Sequence, residues 1–103
     1  DDVILLLGDT DRDKMGGSLY LLTAHGKLEG ALPPLDYATE QRTALLIRGL
    51  IADGSLRSCH DVSTGGLATA LAECCFGRRG AVGASFALSE IRTRVDFELF
   101  CEG

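Results

Sequence analysis

Ser58-Cys59-His60-Asp61-Val62-Ser63-Thr64-Gly65-Gly66-Leu67 is the stretch on which the reading of this chain turns. It follows a short apolar run and opens a helix, with an acid, two hydroxyls and two glycines at the junction. The first N–H groups of a helix lack intrahelical partners, and the helix dipole adds partial positive charge at that end. A glycine pair lets a large ligand approach the main chain closely. An oxyanion, most often phosphate, is the natural guest of such a junction. Asp61 would repel that anion unless a cation lay between them, and Mg²⁺ favours carboxylate oxygen. A phosphate or Mg²⁺–phosphate contact at residues 61–66 is therefore expected. The same residues also read as an ordinary helix start, capped by Ser63 or Thr64 and holding no ligand. His60 beside Asp61 suggests an acid–base pair, but neighbours on a strand point to opposite faces. A buried, hydrogen-bonded histidine is expected there.

Around that stretch, 103 residues allow one domain with a thin core. An apolar content of 46% with only 2 prolines fits a mixed α and β chain. No apolar run approaches the roughly 20 residues of a membrane span, so no membrane partner is expected. No basic segment precedes Val3, and nothing resembles a signal peptide. The net charge of −5 and the short Arg78-Arg79 pair argue against nucleic acid as a partner. Cys59, Cys74, Cys75 and Cys101 form no C-x-x-C pair and lack zinc spacing. They read as reduced, mostly buried thiols of a cytosolic protein.

Taken in order, Val3–Leu7 reads as a strand buried on both faces, ending in a turn from Gly8. Asp9, Asp11 and Asp13 alternate as in a Ca²⁺ loop. The glycine and glutamate that such a loop requires are missing, so a solvated turn is expected. Ser18 can cap a helix to about His25, closed by Gly26, with a hairpin strand as the competing reading. After Pro33-Pro34, Asp36 is an N-cap, and Leu45, Leu46, Ile47, Leu50 and Ile51 form an apolar stripe. This predicts a helix from about 36 to 53, with Gly49 marking close packing and Gly54 the stop. Leu56–His60 reads as a short strand. An apolar helix over 66–76 should be central and end at Gly77, with Arg78-Arg79 solvated at its end. Gly80–Gly83 reads as a loop and Ala84–Leu88 as a strand. The tail Val95–Gly103 suits a strand or a short helix equally. The element order predicts an α/β domain with a mixed sheet (α+β type) of three or more strands, carrying helices 36–53 and 66–76 in α/β/α layers.

With these elements placed, the sequence resembles the C-terminal domain of the aminoimidazole ribonucleotide synthetase-like superfamily. Within it, the resemblance is strongest to the phosphoribosylformylglycinamidine synthases, ATP-dependent amidotransferases of purine biosynthesis. Gly16-Gly17-Ser18-Leu19-Tyr20 is similar to the family's Gly-Gly-Ser-x-Tyr segment, and Pro34-x-Asp36 to its Pro-x-x-Asp helix start. Ser58–Leu67 resembles its Ser-Ala-His-Asp-Val-Ser-Asp-Gly-Gly-Leu, continued by Ala70-Leu71-Ala72-Glu73. Leu99-Phe100-Cys101-Glu102 resembles its Leu-Phe-Ser-Glu. The His-Asp form resembles the second of two internal repeats. Thr64 replaces an acid, Cys101 and Gly103 replace serines, and the strands that follow Leu-Phe-Ser-Glu are absent.

The resemblance implies a single C-terminal-type synthetase domain over 1–103, truncated at its C-terminal end and cut from a longer cytoplasmic enzyme. That enzyme converts formylglycinamide ribonucleotide, with ATP and glutamine-derived ammonia, into the amidine, ADP and phosphate. It implies Mg²⁺ on Asp61, phosphate or nucleotide on Ser63, Thr64, Gly65 and Gly66, and supporting places for His60 and Glu102. ATP or ADP and Mg²⁺ are the implied cofactors. The implied partners are a preceding ATP-binding domain, a glutaminase subunit or domain, and the small-molecule ribonucleotide. The piece alone should be inactive, and its exposed sheet edge should favour dimers. Two alternatives stand beside this: another ATP-using member (aminoimidazole ribonucleotide synthetase, thiamine-monophosphate kinase or selenophosphate synthetase), or a non-catalytic packing module.

Overall fold

Helices, rather than the expected sheet, carry this chain. The computed structural model describes residues 3–8, 15–32, 34–77, 80–88 and 94–102. Among the described residues there are four helices: α1 (Leu19–His25), α2 (Tyr37–Ala52), α3 (Gly66–Cys74) and α4 (Val95–Phe100). Strands β1 (Phe76–Gly77) and β2 (Gly80–Ala81) form one antiparallel ladder pairing Phe76 with Ala81 and Gly77 with Gly80. The expectation of an α/β mixed sheet in α/β/α layers is therefore corrected, because that ladder is the whole of the sheet among the described residues. Residues 3–7, 56–60 and 84–88 enter no ladder. A strand buried on both faces needs bonded neighbours and a covering layer on each side. Val3–Leu7 has no described strand beside it, and Val3 is 82% exposed. A short apolar run cannot carry that pairing information by itself.

The chain divides into two units, Asp1–Asp9 with Pro34–Cys59 and Thr10–Pro33 with His60–Gly103. In the first, α2 agrees with the predicted helix to within one residue at each end. The Asp36 carboxylate accepts the Ala38 and Thr39 amides at 3.0 and 3.2 Å and the Thr39 hydroxyl at 2.7 Å. That arrangement satisfies two of the helix's orphan donors. At the far end Gly54 adopts φ +76°. There the Gly54 N–H donates to the Ile51 carbonyl, and the Ser55 N–H reaches back to that of Leu50. This paired closure needs a left-handed residue, which glycine supplies without a steric penalty. Gly49 does not mark close packing among the described residues, none of which comes within 4 Å of where its Cβ would sit. The predicted stripe is only partly covered: Ile47 and Leu50 are half-buried, while Leu45, Leu46 and Ile51 are exposed.

In the second unit, Ser18 caps α1 by accepting the Leu21 amide, and Gly26 at φ +65° ends it. The helix alternative for 18–25 is the one realised. Ser18 is 2% exposed, so its hydroxyl is both cap and core. The open question of the tail resolves as helix α4, which lies against α3. The Phe100 ring stacks on Tyr20 at 4.9 Å between centroids, an arrangement that adds to simple burial. The Tyr20 hydroxyl donates to Asp96, whose carboxylate also accepts from Nε and Nη2 of Arg94. Helix α3 stops at Cys74 rather than 76, because the chain turns there into the hairpin, and Gly77 lies in β1. Cys59 and Cys74 are exposed, Cys75 is half-buried and Cys101 buried, which corrects the expectation of mostly buried thiols. No helix among the described residues is long and apolar enough to cross a membrane. The readings of Asp9, Asp11, Asp13, Pro33, Arg78 and Arg79 fall outside the described residues.

Candidate functional site

The glycine pair is forced by backbone geometry. Gly65 and Gly66 stand at φ +85° and +70°, a region that side-chain-bearing residues rarely adopt. The Gly66 N–H donates to the Ser63 carbonyl at 2.9 Å, tightening the turn that launches α3. Gly65 is the N-cap, with no side-chain cap bond, so neither Ser63 nor Thr64 fills that place. Space is the second constraint. A Cβ on Gly65 would lie 2.9 Å from the Thr69 Cβ. One on Gly66 would lie 2.7 Å from the Phe100 carbonyl carbon and 2.8 Å from the Cys101 oxygen. A ligand was expected to make the close approach here; at Gly66 the chain's own segment at the end of α4 makes one, and at Gly65 the Thr69 side chain does.

That segment delivers a carboxylate to the turn. Glu102 Oε1 accepts the Gly65 N–H at 2.6 Å and the Leu19 N–H at 2.9 Å. Leu19 opens α1 and Gly65 caps α3, so one oxygen serves two helix starts. Both the charge-assisted bonds and the dipoles favour an anion at this point. Gly65 and Gly66 are buried beneath it, while Ser63 and Thr64 are exposed and their side chains engage no described residue.

His60 differs from expectation because it is exposed. Its Nδ1 lies 2.7 Å from the Asp61 carbonyl oxygen. A carbonyl only accepts, so Nδ1 is the donor in this contact. Nε2 is 3.4 Å from Glu73 Oε2, a contact that becomes an ion pair when the ring is protonated. The Asp61 carboxylate is 3.8 Å from Nδ1 and its side chain is 83% exposed. No described cluster of three or more histidine, cysteine, aspartate or glutamate side chains forms a closed metal cage. Mg²⁺, however, ordinarily takes only one or two protein carboxylates and completes its shell with phosphate and water. An open carboxylate at 61 is compatible with that habit.

The structure thus joins Glu102 to Gly65 and His60 to Asp61 and Glu73, and leaves Ser63 and Thr64 facing solvent. It adds Leu19, Thr69 and Phe100 to the turn. Their signal in the sequence was the glycine pair itself, which announces a close approach without saying by what.

A helix opened by a glycine pair, with Glu102 seated on its first amide, is the local architecture that these residues define. The chain belongs to the AIR synthase related protein family, as its C-terminal domain, with residues 1–103 matched. Among its relatives is the phosphoribosylformylglycinamidine synthase subunit PurL of Symbiobacterium thermophilum, 43% identical over 102 residues, 98% of this chain and 13% of that protein. The subunits of the same name from Rhodopseudomonas palustris and Methylocella silvestris are 45% and 48% identical, each over 82% of this chain and 11% of theirs. The chain therefore spans about an eighth of the length of such relatives. No solved structure matches it.

Proposed function

We propose that this chain works as one C-terminal-type domain of a longer phosphoribosylformylglycinamidine synthase. In that setting formylglycinamide ribonucleotide, ATP and ammonia become the amidine, ADP and phosphate. The observation that carries this reading is identity of 43% over 98% of the chain to a subunit bearing that name. The amide oxygen of the substrate is phosphorylated and ammonia displaces the phosphate. A glutaminase subunit or domain supplies the ammonia, and a preceding domain supplies most of the ATP-binding surface. The enzyme is cytoplasmic, and the piece alone is inactive.

Within it, Asp61 is proposed to hold Mg²⁺, with Ser63, Thr64, Gly65 and Gly66 meeting the phosphates. Mg²⁺ bound there would neutralise phosphate charge beside the Asp61 carboxylate. The exposed Asp61 side chain supports the metal role, and the anion already seated on the Gly65 N–H supports the phosphate role. His60, held by the Asp61 carbonyl and facing Glu73, takes a supporting place beside the acid. The test is an assay of the longer polypeptide with formylglycinamide ribonucleotide, ATP and ammonium. Formation of amidine with stoichiometric ADP is expected. ATP turnover that depends on another acceptor, with no amidine formed, would rule the assignment out.

A further inference from the structure

The donor that a phosphate would use at the glycine turn is already taken. Glu102 Oε1 sits 2.6 Å from the Gly65 nitrogen, and the same oxygen accepts from Leu19 at 2.9 Å. Phe100 and Cys101 pass over Gly66 so closely that no Cβ fits beneath them, which brings Glu102 to the turn. We propose that the Glu102 carboxylate is a tethered stand-in for phosphate, seated on the Gly65 N–H until a phosphate-bearing ligand displaces it. This rests on the phosphate reading of residues 63–66 and adds to it a self-occupied state.

Three features support displacement. A carboxylate and a phosphate oxygen ask for the same thing, an N–H at the positive end of a helix. Glu102 is only half-buried, so its side chain has solvent into which it can turn. Its two partners are main-chain amides with no counter-charge of their own, which suits any oxyanion of the right reach. Occupation by Glu102 lowers the apparent phosphate affinity by the fraction of time the seat is open. A charge-assisted bond of ordinary strength closes it about nine-tenths of the time or more, so the penalty is about tenfold. Bound phosphate would in turn release Glu102 and loosen the tie between the starts of α1 and α3.

The experiment titrates inorganic phosphate into the 103-residue chain and follows the Gly65 and Leu19 amide resonances, in the wild type and in Glu102→Gln. Removing the charge while keeping the shape should tighten phosphate binding about tenfold, with the shifts centred on Gly65. Glu102→Asp, which withdraws the carboxylate by one methylene, should move affinity in the same direction by less. Unchanged or weaker phosphate binding in Glu102→Gln overturns the proposal, as does a response centred away from residues 63–66. Unfolding of both variants also overturns it, since a displaceable contact must leave the fold standing. If the longer enzyme binds Mg-ADP in an Asp61-dependent way while Glu102→Gln has no effect, the stand-in fails and the site reading stands. If neither binds, both fall.

Discussion

Replacing Gly66 by alanine puts a methyl group where backbone already lies. The new Cβ would sit 2.7 Å from the Phe100 carbonyl carbon and 2.8 Å from both the Phe100 Cα and the Cys101 oxygen. None of these is the flexible end of a side chain, so relief requires α4 to move as a body. The residue must also hold φ +70°. A side-chain-bearing residue in that region costs about 1–2 kcal/mol, and overpacking adds about 1–3 kcal/mol. Together about 2–5 kcal/mol is expected, a large share of the stability of any chain of this size. Two other glycines separate the contributions. Gly26 stands at φ +65° with no described residue within 4 Å of its Cβ position, so Gly26→Ala carries the conformational penalty alone. Gly83 has neither constraint, and Gly83→Ala should stay within about 0.5 kcal/mol of the wild type. Urea unfolding followed by circular dichroism reads all three. The Gly66→Ala midpoint should fall by about 1–2 M, clearly more than that of Gly26→Ala. Equal losses for Gly66→Ala and Gly26→Ala would refute the close approach of α4 to the turn.

Other outcomes follow from single elements. The Thr39 hydroxyl, then the Thr39 and Ala38 amides, hold the Asp36 carboxyl below its ordinary value of 3.8. A depressed carboxyl contributes in full above its unfolded value and loses that contribution as pH falls through the folded one. The start of α2 should therefore fray in that acid range, and Asp36→Asn, which still caps, should remove the pH dependence as read from the Thr39 amide shift. Gly49→Ala, in open space within α2, should stabilise that helix by about 1 kcal/mol in thermal unfolding. Under native conditions a thiol reagent should modify Cys59 and Cys74 readily and Cys101 only after unfolding, as mass spectrometry of the labelled chain will show.

How far the residues spoke for themselves depended on the range of the interaction. Asp36, Gly54, Ser18 and Gly26 act on amides and carbonyls within a few positions of themselves, and their caps were readable from the chain. Strands fared differently. Val3–Leu7 has the composition of a buried strand, but composition names no partner, and the described residues supply none. The one ladder among the described residues lies in a Phe-Gly and Gly-Ala hairpin that has no alternating pattern to announce it. Family likeness was carried by ordered motifs and survived the loss of the sheet, because side-chain identity does not depend on which contacts form. The glycine turn lies between these cases. Its demand for space was visible at Gly65 and Gly66, whereas the identity of the visitor, Phe100 to Glu102, is a contact across more than thirty positions. His60 shows the same limit: the ring bonds to its own neighbour's carbonyl and stays exposed.

The turn at 61–66 is proposed to meet a metal-bound phosphate within a longer enzyme. Calorimetric titration of Mg-ADP into that polypeptide, as wild type and as Asp61→Ala, tests it most directly. Loss of a carboxylate ligand to the metal should weaken binding by at least about tenfold, the equivalent of roughly 1.4 kcal/mol, while the 103-residue chain keeps its helical spectrum. Unaltered Mg-ADP affinity in Asp61→Ala would mean that Asp61 holds no metal there.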